Sequence, residues 1–450
     1  MAKLLAGLAL ILAAAPCAAG AGLRPFDPVG FGASADGKTL ATAAIQRAID
    51  ACSAAGGGIV RFRPGRYLTG TVELRDGVTL HLDPGATLLG SADAADYRNL
   101  DPFTDGSGNP MGYALIAAVD AKEVGIEGSG TIDGQGPELK ARQHPFSIRP
   151  FLVRWVRCKD VAVRGVTLTN PGAWTLNFSR TRGGLVEDVV IRSREERLSN
   201  NDGINIDSSE DIRVRHCDVV SGDDALVIKS TSPTPSRDIT ASDCELSTRT
   251  NAIKLGTESL GGFADVRISN CRITRTGMSG IALYTVDGGD LHDVSISDVS
   301  MDGVAVPISI RLGSRLKTFR AGDQPKGTGR LREVTIRNVS ARNVGLIGLL
   351  INGVPGHPVE DVMLENVTLE VPGGGSAADA RIALPENEAA YPEYNMFGTV
   401  LPASAVYIRH VRGLRLHQVG VRTLKSDARP PALLLDVSEL RGRVDFVSAR

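Results

Sequence analysis

Apolar and polar residues alternate along most of this chain, and the alternation itself recurs. The segments IRVRHCDVVSG (residues 212–222), ITASDCELSTR (239–249) and VRISNCRITRT (266–276) share one form. It continues in VSISDVSMDG (294–303), VTIRNVSARN (334–343) and VMLENVTLEV (362–371), and more loosely in residues 161–170 and 185–194. The form is apolar-x-apolar-x-polar-Cys/Val-x-apolar. A period of two means strands with one buried face. The spacing from Cys217 to Cys244 and from Cys244 to Cys271 is 27 residues each time. That suits one coil of a parallel β-helix with several short strands per coil. The predicted fold class is therefore all-β, a single-stranded right-handed parallel β-helix. Residues 39–54 change period: Ile45, Ala48, Ile49 and Cys52 follow helical spacing, and Gly56, Gly57 and Gly58 end the run. A solenoid has an open apolar end, so this helix is predicted to cap it. Strands are predicted at residues 59–62, 67–69, 78–82 and 86–89.

Composition agrees with short strands and tight turns: 51 glycines and only 4% aromatic residues in 450. A regular repeat also overrides the several domains that this length would suggest, because a solenoid grows without splitting. The net charge of −1 gives no general field for nucleic acid or an anionic membrane. Residues 1–21 read as a signal peptide: Lys3, an apolar run from Leu4 to Ala15, then small residues. Cys17 follows Pro16, a poor context for a lipid anchor. Residues 22–450 are then one exported β-helix domain, secreted or periplasmic. Five cysteines remain beyond Cys17, an odd number that argues against a disulfide framework. Cys217, Cys244 and Cys271 are expected to fill one core slot on successive coils. Residues 101–111, 137–150, 322–329, 373–375 and 385–402 interrupt the pattern as loops. Loops of such length in a solenoid tend to be functional walls.

Chemistry concentrates in residues 200–230. Asn200, Asn201, Asp202 and Gly203 form one cluster; Gly222, Asp223 and Asp224 form another. The 21 residues from Asp202 to Asp223 are a little under one coil, which places the two nearly stacked. Taken singly, each cluster is a good turn sequence. Together they gather three carboxylates, whose repulsion raises one pKa and leaves an acid beside ionised partners. Glycoside hydrolysis needs those two states, one to protonate the leaving oxygen and one to activate water. Calcium binding is the other chemistry such clusters support. His81, His216 and His410 read as surface or turn residues, and Trp174 as a sugar platform or a packing residue.

The two acidic clusters, followed by Ile228, Lys229 and Ser230, resemble glycoside hydrolase family 28, which includes polygalacturonases and rhamnogalacturonan hydrolases. FGASADGKT and the AIQRAID helix near the N-terminus, and NPGAWTLNF at residues 170–178, are also similar to that family. The resemblance implies an inverting hydrolase of a pectic polysaccharide, acting without metal or cofactor on a polysaccharide or oligosaccharide, as a monomer. Carried over by motif, Asp223 is the general acid, and Asp202 and Asp224 position and deprotonate water. Inversion calls for carboxyl groups roughly 6.5–9.5 Å apart. Two departures stand out. The family's Gly-His-Gly is Arg249, Thr250 and Asn251 here, and its Arg-Ile-Lys is Ala282, Leu283 and Tyr284. Substrate contacts are therefore expected from Asn200, Lys229, Asn251, Lys254, Glu258, Tyr284 and Arg311. A polysaccharide lyase on a uronate polymer and a non-catalytic carbohydrate-binding β-helix are the alternative readings.

Overall fold

The computed structural model describes residues 25–193 and 198–448. The expected signal peptide lies outside them. The described strands join into one 32-stranded, almost wholly parallel assembly, coiled as a right-handed parallel β-helix. In the central coils each turn contributes three strands, and each strand pairs with the one three elements later. Ile212 pairs with Ile239 and Ile239 with Val266, which is the 27-residue period read from the sequence. Later turns lengthen: Val294 pairs with Val334, 40 residues on, because residues 313–330 leave the coil between them.

The period follows from two local preferences. Inward residues are branched and apolar, so Ile212, Ile239, Val266, Val294, Val334 and Val362 stack in one fully buried column. Cys271, Val299, Val339, Val367 and Val419 form a second column. Cys217 and Cys244 precede it, and all five described cysteines are buried thiols rather than disulfides. The polar position before that column is a corner. His216, Asp243, Asn270, Asp298, Asn338 and Asn366 each have φ between 51° and 57°. Asn and Asp tolerate this left-handed region better than other residues with a side chain. The corner side chains also bond along the stack, as Asn338 Nδ2 does to Asp298 Oδ1 at 2.8 Å and Asn366 Nδ2 to Asn338 Oδ1 at 3.0 Å.

The capping helix is Thr42–Ala54, with Ala44, Ile45, Ala48, Ile49 and Cys52 turned to the core. It starts three residues later than predicted, because Asp36–Leu40 pairs as a strand with Gly65–Thr69. Residues 101–111 are not a plain loop. They make the bend of an antiparallel hairpin between Arg98–Thr104 and Pro110–Val119. Residues 137–150, also expected as a loop, begin inside a short helix, Gly136–Ala141. No helix among the described residues is long and apolar enough to cross a membrane.

Candidate active site

The site lies on one sheet of the coil, built from Leu176–Ser179, Ile204–Asp207, Leu226–Ser230 and Ile253–Ser259. Leu226 pairs with Ile204 on one side and Ile253 on the other. Counting back two residues puts Asp202, Asp224 and Asn251 in register. Counting back three puts Asn201, Asp223 and Thr250 in register. The sequence motifs are thus two short columns entering three successive strands. Their glycines are needed for close approach. A Cβ on Gly222 would strike the Asn201 side chain, and one on Gly203 would strike the Ala225 carbonyl and Val219.

Hydrogen bonds tie the columns together. The Thr250 hydroxyl bonds Asp223 Oδ1 at 3.1 Å and Asp224 Oδ1 at 3.0 Å. Asn251 donates to the same Asp224 oxygen from its backbone (3.2 Å) and its side chain (2.9 Å). The Thr250 hydroxyl thus links one oxygen of Asp223 to one of Asp224. Asn201 is buried and anchored through its amide to the Ser193 carbonyl, as part of the scaffold.

Two ammonium groups stand inside this carboxylate cluster. Lys229 Nζ lies 2.9 Å from Glu258 and 3.8 Å from Asp202. Lys254 Nζ lies 3.0 Å from Asp224 and 2.6 Å from Glu393. All of these side chains are buried. Asp223, half-buried, is the most open of the three aspartates. These ammonium groups already answer much of the acidic charge, so the cluster is poorly suited to a divalent cation.

The environments push the acids apart. Burial, then the neighbouring Asp223 charge, holds Asp202 well above the ordinary carboxylate range, against the pull of Lys229. Burial and the Asp224 charge raise Asp223 to about 6, against Lys254 and Lys229. For Asp224, burial works upward but is outweighed by Lys254, Lys229 and the Asn251 bond, so its pKa is lowered. Glu258 is likewise drawn down to about 2, because Lys229 outweighs its burial. Below about pH 6 the result is two protonated groups beside ionised ones, a set that can donate a proton and accept another.

Seven other expected residues fall at varying distances from this centre. Lys229, Asn251, Lys254 and Glu258 all join it. Asn200 sits at its edge, where Arg149 donates to its side chain at 2.9 Å. Tyr284 is fully buried, and its hydroxyl bonds Ser309 Oγ at 3.0 Å, so it supports the floor rather than facing a ligand. Arg311 is a correction. It pairs with Tyr284 in register, but its guanidinium is spent on the carbonyls of Gly353 (3.1 Å), Glu386 (2.9 Å) and Asn387 (3.0 Å). It fastens a loop and is not available to a substrate carboxylate. Trp174 is also buried, packed 5.1 Å from Phe151, with Lys229 Nζ 4.9 Å from its ring. It is therefore a packing residue and not a sugar platform.

Sequence reasoning missed the residues that loops bring in. Gly106, in the hairpin bend, donates to Glu258 Oε1 at 2.6 Å. Lys317 then bonds the Gly106 carbonyl at 2.8 Å. Arg315 grips the buried Asp287 through two bonds of 2.8 and 2.6 Å. Glu393, from residues 385–402, bonds both Asn251 and Lys254. Tyr391 is exposed at the mouth, 5.4 Å from the Arg315 guanidinium. For Gly106, Tyr391 and Glu393 the only sequence signal is loop length; Arg315 and Lys317 lie outside every loop read from the sequence.

The sequence model described as Glycosyl hydrolases family 28 matches residues 75–388. A probable polygalacturonase of Vitis vinifera is 30% identical over 368 residues, covering 76% of this chain and 74% of its own. An endo-polygalacturonase of Pectobacterium parmentieri is 27% identical, covering 74% of this chain and 85% of its own. Among solved structures, the family 28 exopolygalacturonase of Yersinia enterocolitica superposes with a TM-score of 0.70 at 19% identity, over 93% of this chain and 78% of its own. A hyperthermoactive exopolygalacturonase from Thermotoga maritima gives 0.66 at 23% identity, over 77% and 87%. At these identities the superpositions establish the coil architecture.

Proposed function

The chain belongs to glycosyl hydrolase family 28, and on that premise we propose that it hydrolyses glycosidic bonds of a pectic polysaccharide with inversion at the anomeric carbon. The observation that carries the reading is the split among three clustered aspartates, with Asp223 and Asp202 raised and Asp224 lowered.

Asp223 is the proton donor. It is the most open of the three, and its carboxyl keeps a proton up to about pH 6. It protonates the glycosidic oxygen as the bond to the anomeric carbon breaks. Asp224 is the base. One of its oxygens accepts from Thr250 and Asn251, and the other faces Lys254. These donors keep it ionised and lower its power as a direct nucleophile, while a lone pair on Oδ2 still accepts a proton from water. Asp202, protonated and in register with Asp224, holds the water from the adjacent coil. The water oxygen bonds to the anomeric carbon from the face opposite the leaving group, and its proton passes to Asp224. Exchange with solvent then restores both carboxyls.

Incubation with galacturonan and rhamnogalacturonan, assayed for new reducing ends and for ultraviolet-absorbing unsaturated products, tests this reading. Reducing ends without unsaturated products are expected. Unsaturated products lost on chelation would replace hydrolysis by elimination. The same assay has a required pH profile. The active form carries a proton on Asp223, so kcat/KM falls about tenfold per pH unit above about 6. It also falls in acid, where Asp224 gains a proton, at a pH below the ordinary carboxylate value of 3.8. A rate that rises through pH 6 would rule out Asp223 as the donor.

A further inference from the structure

Glu393 is the one carboxylate of the cluster that the coil does not supply. It arrives from residues 385–402, and its oxygens meet Lys254 Nζ at 2.6 Å and Asn251 Nδ2 at 3.1 Å. Those two donors also hold Asp224. The loop that carries it is firmly built. Arg311 bonds the Glu386 and Asn387 carbonyls, Arg409 bonds the Pro385 carbonyl at 2.9 Å, and Ser314 donates to the Glu388 carbonyl at 2.7 Å. Phe397 and Leu401 pack with Val306, Ile347, Leu350 and Tyr407. Tyr394–Phe397 forms a helical turn that begins directly after Glu393. A carboxylate held in this way is not readily displaced by a ligand.

The consequence is electrostatic. Lys229 is paired with Glu258, Lys254 with Asp224 and Glu393, and Arg315 with Asp287. Beside Lys254 two carboxylates, Asp224 and Glu393, already share one ammonium group. A further carboxylate entering there would be the third on that ammonium, in a buried setting where repulsion is poorly screened.

We propose that Glu393 is a specificity-determining residue: it occupies the place beside Lys254 that a uronate carboxylate would need, so the ring bound against Asp224 and Asn251 is a neutral or methyl-esterified sugar. This rests on the hydrolase reading of the same site. Lys254 then acts on Asp224, holding it ionised, and does not bind the substrate's acid group. A pectic chain satisfies the requirement wherever an uncharged unit or an ester stands at that position.

Two ligands with the same linkage and different charge test this: trigalacturonate as the free acid and as its full methyl ester. Binding is measured by calorimetry to the Asp223→Asn protein, where turnover is slowed, at a pH where the acid is ionised. The ester is expected to bind at least tenfold more tightly. Adding Glu393→Ala is expected to raise the affinity of the free acid at least fivefold while changing that of the ester less than twofold. Glu393→Gln keeps the side-chain shape and is expected to move the ratio in the same direction. An equal effect on both ligands, an unchanged ratio, or binding of neither would overturn the assignment. If the ester preference and its dependence on Glu393 hold but the wild-type protein releases no reducing ends, the hydrolase reading fails and the charge selection stands.

Discussion

Asp223→Asn is expected to lower kcat by about 10²–10⁴-fold, the range over which a positioned general acid contributes, with no loss of fold. The asparagine retains an oxygen for the Thr250 hydroxyl and the Asp224 amide, which bond Asp223 Oδ1 at 3.1 and 2.9 Å. It cannot give up a proton at a useful pH. Because Asp223 is raised to about 6, a neutral side chain there resembles the working form of the wild-type protein. The melting temperature should therefore change little. Retained turnover in a folded variant would move the acid role elsewhere, and Asp202, the other raised carboxyl, would take it.

The second large effect is on stability. Lys229→Met is expected to destabilise the protein by roughly 3–5 kcal/mol, the cost of removing one partner from a buried ion pair. Lys229 is 5% exposed and Glu258 3%, and the Gly106 amide is the other donor to Glu258. Methionine keeps the stem against Trp174 but leaves Glu258 buried beside Asp202 without its ion-pair partner, with only the more distant charge of Arg315. Urea denaturation measures the change. Lys159→Met is the control: Lys159 is exposed, 3.9 Å from an exposed Asp160, and the expected change is within about 0.5 kcal/mol. Equal behaviour of the two variants would show that the Lys229 pair carries no buried charge penalty.

Much of this fold was legible because a coil is a local object. The period of two, the 27-residue step and the polar corner all lie within one turn of chain, and stacking repeats them. The corner was seen in sequence as a polar slot. Its physical basis, a left-handed backbone that Asn and Asp tolerate, is visible only in the dihedral angles. The acidic columns were legible for the same reason, since residues about one coil apart must stack. Refinement came at single-residue level: Asp224, not Asp223, shares register with Asp202.

What the sequence hid enters from outside the coil. Glu393 meets Lys254 across 139 residues, and Gly106 meets Glu258 across 152. No periodicity relates such positions. Arg311 shows the same limit in reverse. Its place in the stack was readable, but the loop that consumes its guanidinium was not, so it was expected on substrate. Lys254 and Glu258 needed no loop to reach the centre, but their ion pairs with buried partners required the three-dimensional register.

The donors around Asp224, from Thr250, Asn251 and Lys254, favour a base over a nucleophile, and so inversion over retention. Proton nuclear magnetic resonance of the first product formed, recorded before the new reducing end mutarotates, decides between them. The α-linked substrate should give the β-anomer first. Initial appearance of the α-anomer would contradict the direct attack of water on which this account depends.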